Sequence, residues 1–428
     1  MAGRKALAAG RVRKAHGRTG RPEAAQPLAN RLVFAEDVVM KGQFALTKAQ
    51  DMLRKSVRRM SEEQIAPRVG EIEETGVFPP ELMDLFGKQQ LIGFTFPKEY
   101  GGAGGDEVSY CIIEEELSRV FADALMWCSQ SHLGAQPLLI AGTEEQKRRF
   151  LPAVASGEKI CAFGLTEPEA GSDVAGITTT AVRDGNYYVL NGSKRFISYG
   201  GSAPVMTIFA KTNPEDKRGG LSVFFLDKQE SPGVSLVRLE KKMGWRSTPT
   251  SEIVIKNCRI PKENLLGREG DGWDISMRTL DVTRPGVGSC GVGIAQGAYE
   301  VALNYAIERH QFGAPISSFQ AIQFKLADMA MEIEAARWLC YRAGAAVDDD
   351  SPLMAKLGAM AKCFGTDVAM KVAVEAVQIL GGSGYVKDFA AERYFREAKL
   401  TQIFEGTNEI QRLVIARQII REAKSKAL

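Results

Sequence analysis

Histidine is scarce in this 428-residue chain: there are three, at positions 16, 132 and 310. They lie too far apart for the paired histidines of a helical zinc site or for a serine–histidine–aspartate arrangement. The seven cysteines (111, 128, 161, 258, 290, 340 and 363) include no Cys-x-x-Cys pair, and no secretory-leader pattern is present. They read as reduced, mostly core thiols of an intracellular protein, and no metal site is expected. No apolar run approaches the roughly 18 residues needed to span a bilayer. Charge of one sign is lacking too, the net formal charge being +3. Residues 1–22 hold seven basic and no acidic residues, leaving 48 basic against 52 acidic in the rest. That mildly acidic body calls for no nucleic-acid surface. The expectation is a soluble protein that binds neither nucleic acid nor membrane.

What is present is apolar substance: 45% of residues are hydrophobic, enough to fill two or three domains. Residues 1–40 are basic, rich in Ala and Gly and without apolar periodicity. They read as a disordered extension, with Met40 the more natural start. A mitochondrial transit peptide is the other reading, although such peptides are usually rich in Ser, which this segment lacks. The cytoplasm of a bacterium is accordingly the favoured location, or the mitochondrial matrix if the segment is a transit peptide. Residues 41–159 show helical patterning. The run through Met52, Val57, Met60 and Ile65 is expected to end at Pro67, and Thr143 with Gln146 predicts a capped helix start. Over 160–275 the period changes to two, with Asp184-Gly185 and Asn191-Gly192 as two-residue hairpin signals. A small antiparallel β-domain inserted between helical parts is predicted there. Residues 276–428 return to long helices. Gly286-Val287-Gly288-Ser289-Cys290-Gly291 matches a dinucleotide fingerprint by letter, but no strand-like run precedes it. Close helix packing is the better reading.

The stretch Gln402-Ile403-Phe404-Glu405-Gly406-Thr407-Asn408 carries the most chemistry. Upstream, Leu353, Leu357, Met360, Phe364, Val368 and Val372 recur as an apolar helix face, and downstream Ile410, Leu413 and Ile419 do the same. Glu405 is thereby placed on a short loop against a helix N-terminus, with Phe404 beside it. An apolar setting disfavours the charged carboxylate and raises its pKa towards that of a general base. Capping of the next helix is the competing role, and spacing alone does not separate the two.

This stretch resembles the catalytic loop of the acyl-CoA dehydrogenases, flavoproteins that desaturate acyl-CoA thioesters between Cα and Cβ. The resemblance runs from about Leu46 to Ile420. It includes Pro97-Lys98-Glu99-Tyr100-Gly101-Gly102, Gly142-Thr143-Glu144-Glu145-Gln146-Lys147 and the loop from Ala162 to Asp173. It implies a mostly α three-domain fold: an N-terminal helical domain, a middle antiparallel β-domain and a C-terminal four-helix bundle. It also implies FAD as cofactor, a homotetramer, and an electron-transfer flavoprotein as acceptor. Glu405 becomes the base, its amide and a ribityl hydroxyl of FAD holding the thioester oxygen. For flavin contact the resemblance implies Phe163, Leu165, Thr166, Gly171, Ser172, Phe196 and Ser198. The last two stand where the family usually has Trp and Thr. Arg309, Gln311, Phe312 and Gln320 would reach the flavin diphosphate of a neighbouring subunit. Gln378, Gly381 and Gly382 would lie against the adenosine-phosphate end, with Thr407 and Asn408 also on the cofactor. Ser172, Asp281, Arg284, Phe404 and Gly406 would face the acyl-CoA; for Asp281 and Arg284, three apart on one helical face, an ion pair is the plainer reading. In some relatives the base comes from the position of Thr283, which a threonine cannot serve.

The sequence thus points to α,β-desaturation of an acyl-CoA to a trans-2-enoyl-CoA. Rival readings are an acyl-CoA oxidase, a dehydrogenase specialised (and possibly decarboxylating) for dicarboxylic or aryl thioesters, and a nucleic-acid-associated flavoprotein homologue. A nicotinamide enzyme of Rossmann type is the remaining rival.

Overall fold

The predicted cap at Thr143 forms as a reciprocal pair: Gln146 N donates to Thr143 Oγ1 (3.2 Å) and Thr143 N to Gln146 Oε1 (2.7 Å). Thr47 and Gln50 open the first helix in the same way. Each cap satisfies N–H groups that a helix start leaves without partners. In the computed structural model, which describes residues 45–426, five helices come first. They are α1 (Lys48–Met60), α2 (Val69–Thr75), α3 (Pro80–Lys88), α4 (Glu107–Ala141) and α5 (Glu144–Ala155). The basic segment 1–40 lies outside the described residues.

Pro67 does not end the first helical run as expected. A π-helical turn at Ser61–Ile65 and a 3-10 turn at Ala66–Arg68 carry the chain directly into α2. Pro67 sits at the start of its short turn, where a missing N–H costs nothing. Met52, expected on the apolar face, is exposed.

Eight strands follow: β1 (Cys161–Gly164), β2 (Thr180–Asp184), β3 (Tyr187–Ser198), β4 (Val205–Lys211), β5 (Leu221–Asp227), β6 (Val234–Leu239), β7 (Thr250–Pro261) and β8 (Leu265–Leu266). Their order is β6-β7-β3-β2-β4-β5-β8, with β1 also paired to β4. The sheet is antiparallel except at β4, beside which β1 and β2 run parallel. Of the two hairpin signals only the first makes a turn: Asp184 pairs with Tyr187 across Gly185-Asn186, Gly185 supplying φ 60°. Asn191-Gly192 instead lies inside the continuous strand β3, at a shift of register against β7. The glycine is required there by close packing, since a Cβ at 192 would come 2.4 Å from Thr179 Oγ1.

The chain then enters α6 (Gly272–Glu308), a short hairpin of β9 (His310–Gln311) and β10 (Ala314–Pro315), and helices α7 (Gln320–Asp348), α8 (Met354–Leu380), α9 (Ala391–Thr401) and α10 (Asn408–Lys426). Helix α6 packs against both α4 and α8. The glycine triplet at 286, 288 and 291 is buried inside α6. A Cβ at Gly288 or Gly291 would come 2.7 Å from the carbonyl of Ala361 or Gly365 on α8. These glycines set the distance between two helices and form no phosphate loop. On α7 the three- and four-residue spacing of Leu326, Met329, Ile333, Ala336 and Cys340 makes one apolar face, and all five are buried. On α8 Phe364 is exposed, as are Leu413 and Ile419 on α10. The rest of the α8 stripe faces the core, Leu357, Val368 and Val372 being buried, whereas Leu413 and Ile419 of α10 do not.

Candidate active site

The loop between α9 and α10 is tied to α8 at several points. Lys362 is buried in α8, and its Nζ donates to Gly406 O and Asn408 Oδ1, both at 2.8 Å. Asp367, four residues on plus one, accepts from Gln402 Nε2 (2.7 Å), Asn408 Nδ2 (2.7 Å) and Arg412 NH2 (2.6 Å). Gln411 Nε2 reaches back to Gly406 O at 2.8 Å. Thr407 Oγ1 accepts from Ile410 N (3.4 Å), capping α10 as its position predicts. Within this frame Glu405 has φ 51°, a left-handed conformation uncommon for a residue with a side chain. Gly406 follows at φ 91°, and a Cβ there would lie 2.7 Å from Gln411 Nε2. The loop is thus held in a shape that only this glycine allows.

The strain aims Glu405 at α6. Thr283 Oγ1 donates to Glu405 Oε2 at 2.6 Å. Burial pushes the Glu405 carboxyl above its usual value, while the Thr283 hydroxyl, Lys362 and Arg284 favour the charged form. The residue as a whole is half-buried. Its amide N–H finds no acceptor among the described residues. Burial lowers Lys362 to about 8, an effect that Glu405 opposes. Arg284 pairs with Asp281 (2.7 Å) and is buried, its Nε without a partner. Phe404 packs edge-on against Trp245 (5.8 Å), whose Nε1 donates to Glu397 O at 2.9 Å. Glu409 is exposed on α10.

A second group forms where β1 and β3 meet. Lys194 is fully buried and donates to Leu165 O (3.1 Å) and Glu167 Oε1 (2.8 Å). Glu167 also accepts from Thr178 N and Thr179 N. With the bond from Arg195 N to Thr166 O (2.9 Å) they tie the Leu165–Glu167 segment to β3, and Gly171 and Ser172 on the loop that follows are exposed. Burial lowers Lys194 to about 8 and works against ionisation of Glu167, whose value nonetheless falls because Lys194 and the Thr178 and Thr179 groups outweigh it. Phe196, expected as an apolar wall, sits in a bulge at φ 57°, 58% exposed, with the Arg195 guanidinium over its ring at 4.7 Å.

The remaining residues lie at the far end of α6 and α8. Arg309, Gln311, Phe312 and Gln320 are exposed around the β9–β10 hairpin, Phe312 almost completely at 97%. Gln378, Gly381 and Gly382 are exposed at the end of α8, and Tyr305 OH bonds Ser383 Oγ there (3.2 Å). Asn408 departs from its expected place on a ligand. It is buried, and both ends of its amide are engaged, with Lys362 and Thr366 and with Cys363, Thr366 and Asp367. Sequence reasoning missed Lys362, Asp367 and Lys194. Lys362 had a visible signal: an ammonium among apolar helix positions requires partners.

Comparison with known proteins bears on all three groups. Family models described as the N-terminal, middle and C-terminal domains of acyl-CoA dehydrogenase match residues 47–158, 162–258 and 270–420. An acyl-CoA dehydrogenase of Bacillus subtilis is 45% identical over 376 residues, covering 88% of this chain and 99% of the relative. The solved butyryl-CoA dehydrogenase of Megasphaera elsdenii superposes with a TM-score of 0.85 at 41% identity, covering 89% of this chain and all of that one. A chain from a study of the electron-transferring flavoprotein of Acidaminococcus fermentans and flavin-based electron bifurcation gives 0.86 at 45% identity, with coverage of 89% and 100%.

Proposed function

This chain belongs to the acyl-CoA dehydrogenase family of FAD-dependent oxidoreductases, and from that premise we propose that Glu405 is the base of its reaction. The observation that carries the reading is the loop carboxylate itself: desolvated, aimed at α6 and held on Thr283 by a 2.6 Å hydrogen bond. An α-hydrogen of a thioester becomes acidic only when charge developing on the carbonyl oxygen is stabilised. The unengaged amide N–H of Glu405 is a donor of the required kind, and it stands in a setting where such a donor is worth more than in water. Glu405 takes the α-proton, the β-hydrogen departs with its electron pair, and a trans-2-enoyl-CoA remains. Thr283 and Lys362 act through Glu405 and its loop, one orienting the carboxylate and the other fixing the backbone.

The residues of the chain fit the cofactor. The hydroxyls of Thr166, Ser172 and Ser198 and the side chains of Arg309, Gln320 and Gln378 have no partner among the described residues. A Cβ at Gly171, Gly381 or Gly382 would meet nothing within 4 Å, so these segments are open to a close-lying ligand. Phe163, Leu165, Thr166 and Ser198 would hold the flavin ring. Gln378, Gly381 and Gly382, with Arg309, Gln311, Phe312 and Gln320 of a neighbouring subunit, would hold the phosphates and adenosine. FAD, when bound, supplies the acceptor for the departing hydride. Arg284, Asp281, Phe404 and Gly406 shape the substrate side, and Ser172 serves both ligands.

The proposal includes a homotetramer. Exposed apolar side chains on α7 (Phe324, Met331) and α10 (Leu413, Ile419, Ile420) support it, as do the free side chains near the hairpin. The three parts are taken as domains at 41–159, 160–275 and 276–428. An electron-transferring flavoprotein is the proposed acceptor and a bacterial cytoplasm the proposed setting, in line with the relatives matched. The test is anaerobic mixing of the yellow protein with a panel of acyl-CoAs. Loss of flavin colour together with formation of a trans-2-enoyl-CoA is expected; retention of colour with every member would overturn the reading.

A further inference from the structure

Lys194 is fully buried on β3, and its ammonium donates to Leu165 O at 3.1 Å as well as to Glu167 Oε1 at 2.8 Å. Holding the loop does not require such a pair. Burying two charges costs desolvation that their attraction does not reliably return, and an apolar pair of similar volume often serves stability as well. The carboxylate has other donors in Thr178 N (2.7 Å), Thr178 Oγ1 (2.9 Å) and Thr179 N (3.0 Å). The loop has another tie too, since Arg195 N donates to Thr166 O at 2.9 Å. What these supports leave unexplained is a cation set on the carbonyl of Leu165.

That carbonyl belongs to the peptide unit whose other end is the N–H of Thr166. No cis peptide bond occurs among the described residues, and in a planar trans unit the C=O and N–H point opposite ways. Lys194 therefore stands behind the unit, and the Thr166 N–H points away from it. This N–H has no acceptor among the described residues, and the Thr166 hydroxyl has no partner there either. An ammonium on the carbonyl oxygen draws electron density through the amide and makes its N–H a stronger donor, as hydrogen bonds in series do. Burial lowers Lys194 to about 8, which leaves it mostly charged at neutral pH. Glu167 does not cancel the effect. Its charge is shared with the Thr178 and Thr179 donors, whereas the ammonium touches the peptide unit directly.

We infer that Lys194, acting through the Leu165–Thr166 peptide, strengthens a donor toward the bound flavin and so favours reduced over oxidised flavin. This rests on the reading that Thr166 holds the flavin ring. A reduced flavin carries more negative charge on its carbonyl oxygens and ring nitrogens than an oxidised one, so a stronger donor gains more with the reduced form. The flavin is thereby made a better acceptor for the β-hydrogen of a thioester. Lys194 touches neither substrate nor reacting atoms; it is a positioning residue whose effect passes through Thr166.

The test measures the two-electron reduction potential of the FAD-loaded enzyme against a reference dye, with the melting temperature of each protein beside it. Lys194→Met should lose about three- to tenfold in preference for reduced over oxidised flavin, a fall in potential of roughly 15–30 mV. Because that variant also strands the Glu167 charge, Lys194→Met/Glu167→Gln is measured with it. The double variant should regain stability and keep the lowered potential. A pair that only fastened the loop would behave otherwise: the potential would return with the stability, or would never move. Either result overturns the inference, as does a raised potential or an equal weakening of both flavin forms. Each of these outcomes leaves flavin binding and the base assignment at Glu405 standing. A parent protein that takes up no FAD would overturn the dehydrogenase reading and the inference with it.

Discussion

The Thr283 hydroxyl on α6 donates a 2.6 Å hydrogen bond to the carboxylate of Glu405, 122 residues away in sequence. Threonine cannot itself take a proton from carbon. It can lower the cost of holding charge on Glu405, the proposed base, and it fixes the direction in which that residue points. Burial and this hydrogen bond act on the carboxyl in opposite senses, and burial prevails.

Glu405→Gln should fold, retain flavin and still bind acyl-CoA, because the amide keeps the size and outline of the acid. Turnover should fall by at least about 10⁴-fold, the upper part of the range for general-base catalysis. Glu409→Gln is the control: that exposed side chain on α10 should cost little activity. Stopped-flow bleaching of the flavin measures both, and a Glu405→Gln enzyme near the wild-type rate would place the base elsewhere.

Thr283→Val should move the pH profile. The base works deprotonated, so kcat/KM rises with pH through the Glu405 pKa. Removing a donor that favours the charged form raises that pKa, and the ascending limb should shift to higher pH by about one unit, the equivalent of roughly 1.4 kcal/mol. A limb that stays in place, or moves to lower pH, contradicts the assignment.

Lys362→Met would leave Gly406 O and Asn408 Oδ1 short of a donor inside the protein. Stability should fall by about 1–3 kcal/mol. The loop conformation at Glu405 would then be less firmly held, and kcat should drop by about 10–100-fold with smaller change in KM. Flavin content, set by other segments, should stay near that of the parent. Equal activity in the two proteins would show that the loop holds its shape without Lys362.

Lys194→Met should leave Glu167 as a buried charge without its ammonium, which typically costs about 3–5 kcal/mol. Thermal melting should show the loss, and the protein should release flavin more readily, since Lys194 ties the Thr166 segment to β3. The double variant Lys194→Met/Glu167→Gln should regain part of the stability. If the single variant melts like the parent, the pair is structurally idle.

Arg309→Ala should weaken flavin retention without altering the fold of the subunit, because the side chain is exposed and bonded to nothing among the described residues. Sedimentation should give a tetramer for the parent, and dissociation of that tetramer should release FAD. Unchanged retention on dilution would remove Arg309 from the cofactor site.

Much of this was legible in the residues. The cap at Thr143, the turn at Asp184-Gly185, the apolar face of α7 and the loop position of Glu405 follow from interactions within a few residues along the chain, so a local pattern suffices to find them. Pairing by periodicity gave the sheet its strands. It did not give the parallel placement of β1 and β2 beside β4, nor reveal that Asn191-Gly192 runs straight on, because those depend on which distant strand lies alongside. Gly192 is there for Thr179, and its turn-like neighbour Asn191 is incidental.

The sequence by itself determined that a carboxylate would stand on a loop before the last helix, flanked by glycine, in a chain of the three-part helical and β design. Only the tertiary structure decided how that carboxylate is held. Lys362 and Asp367 on α8 fix its loop, Thr283 on α6 takes its oxygen, and Glu114 on α4 shares its surroundings. Lys362, Thr283 and Glu114 are buried and Asp367 is half-buried, and each lies 38 or more residues from Glu405 along the chain. Electrostatic and hydrogen-bond energies depend on distance in space and on the exclusion of water, and neither is written in the spacing of residues along a chain.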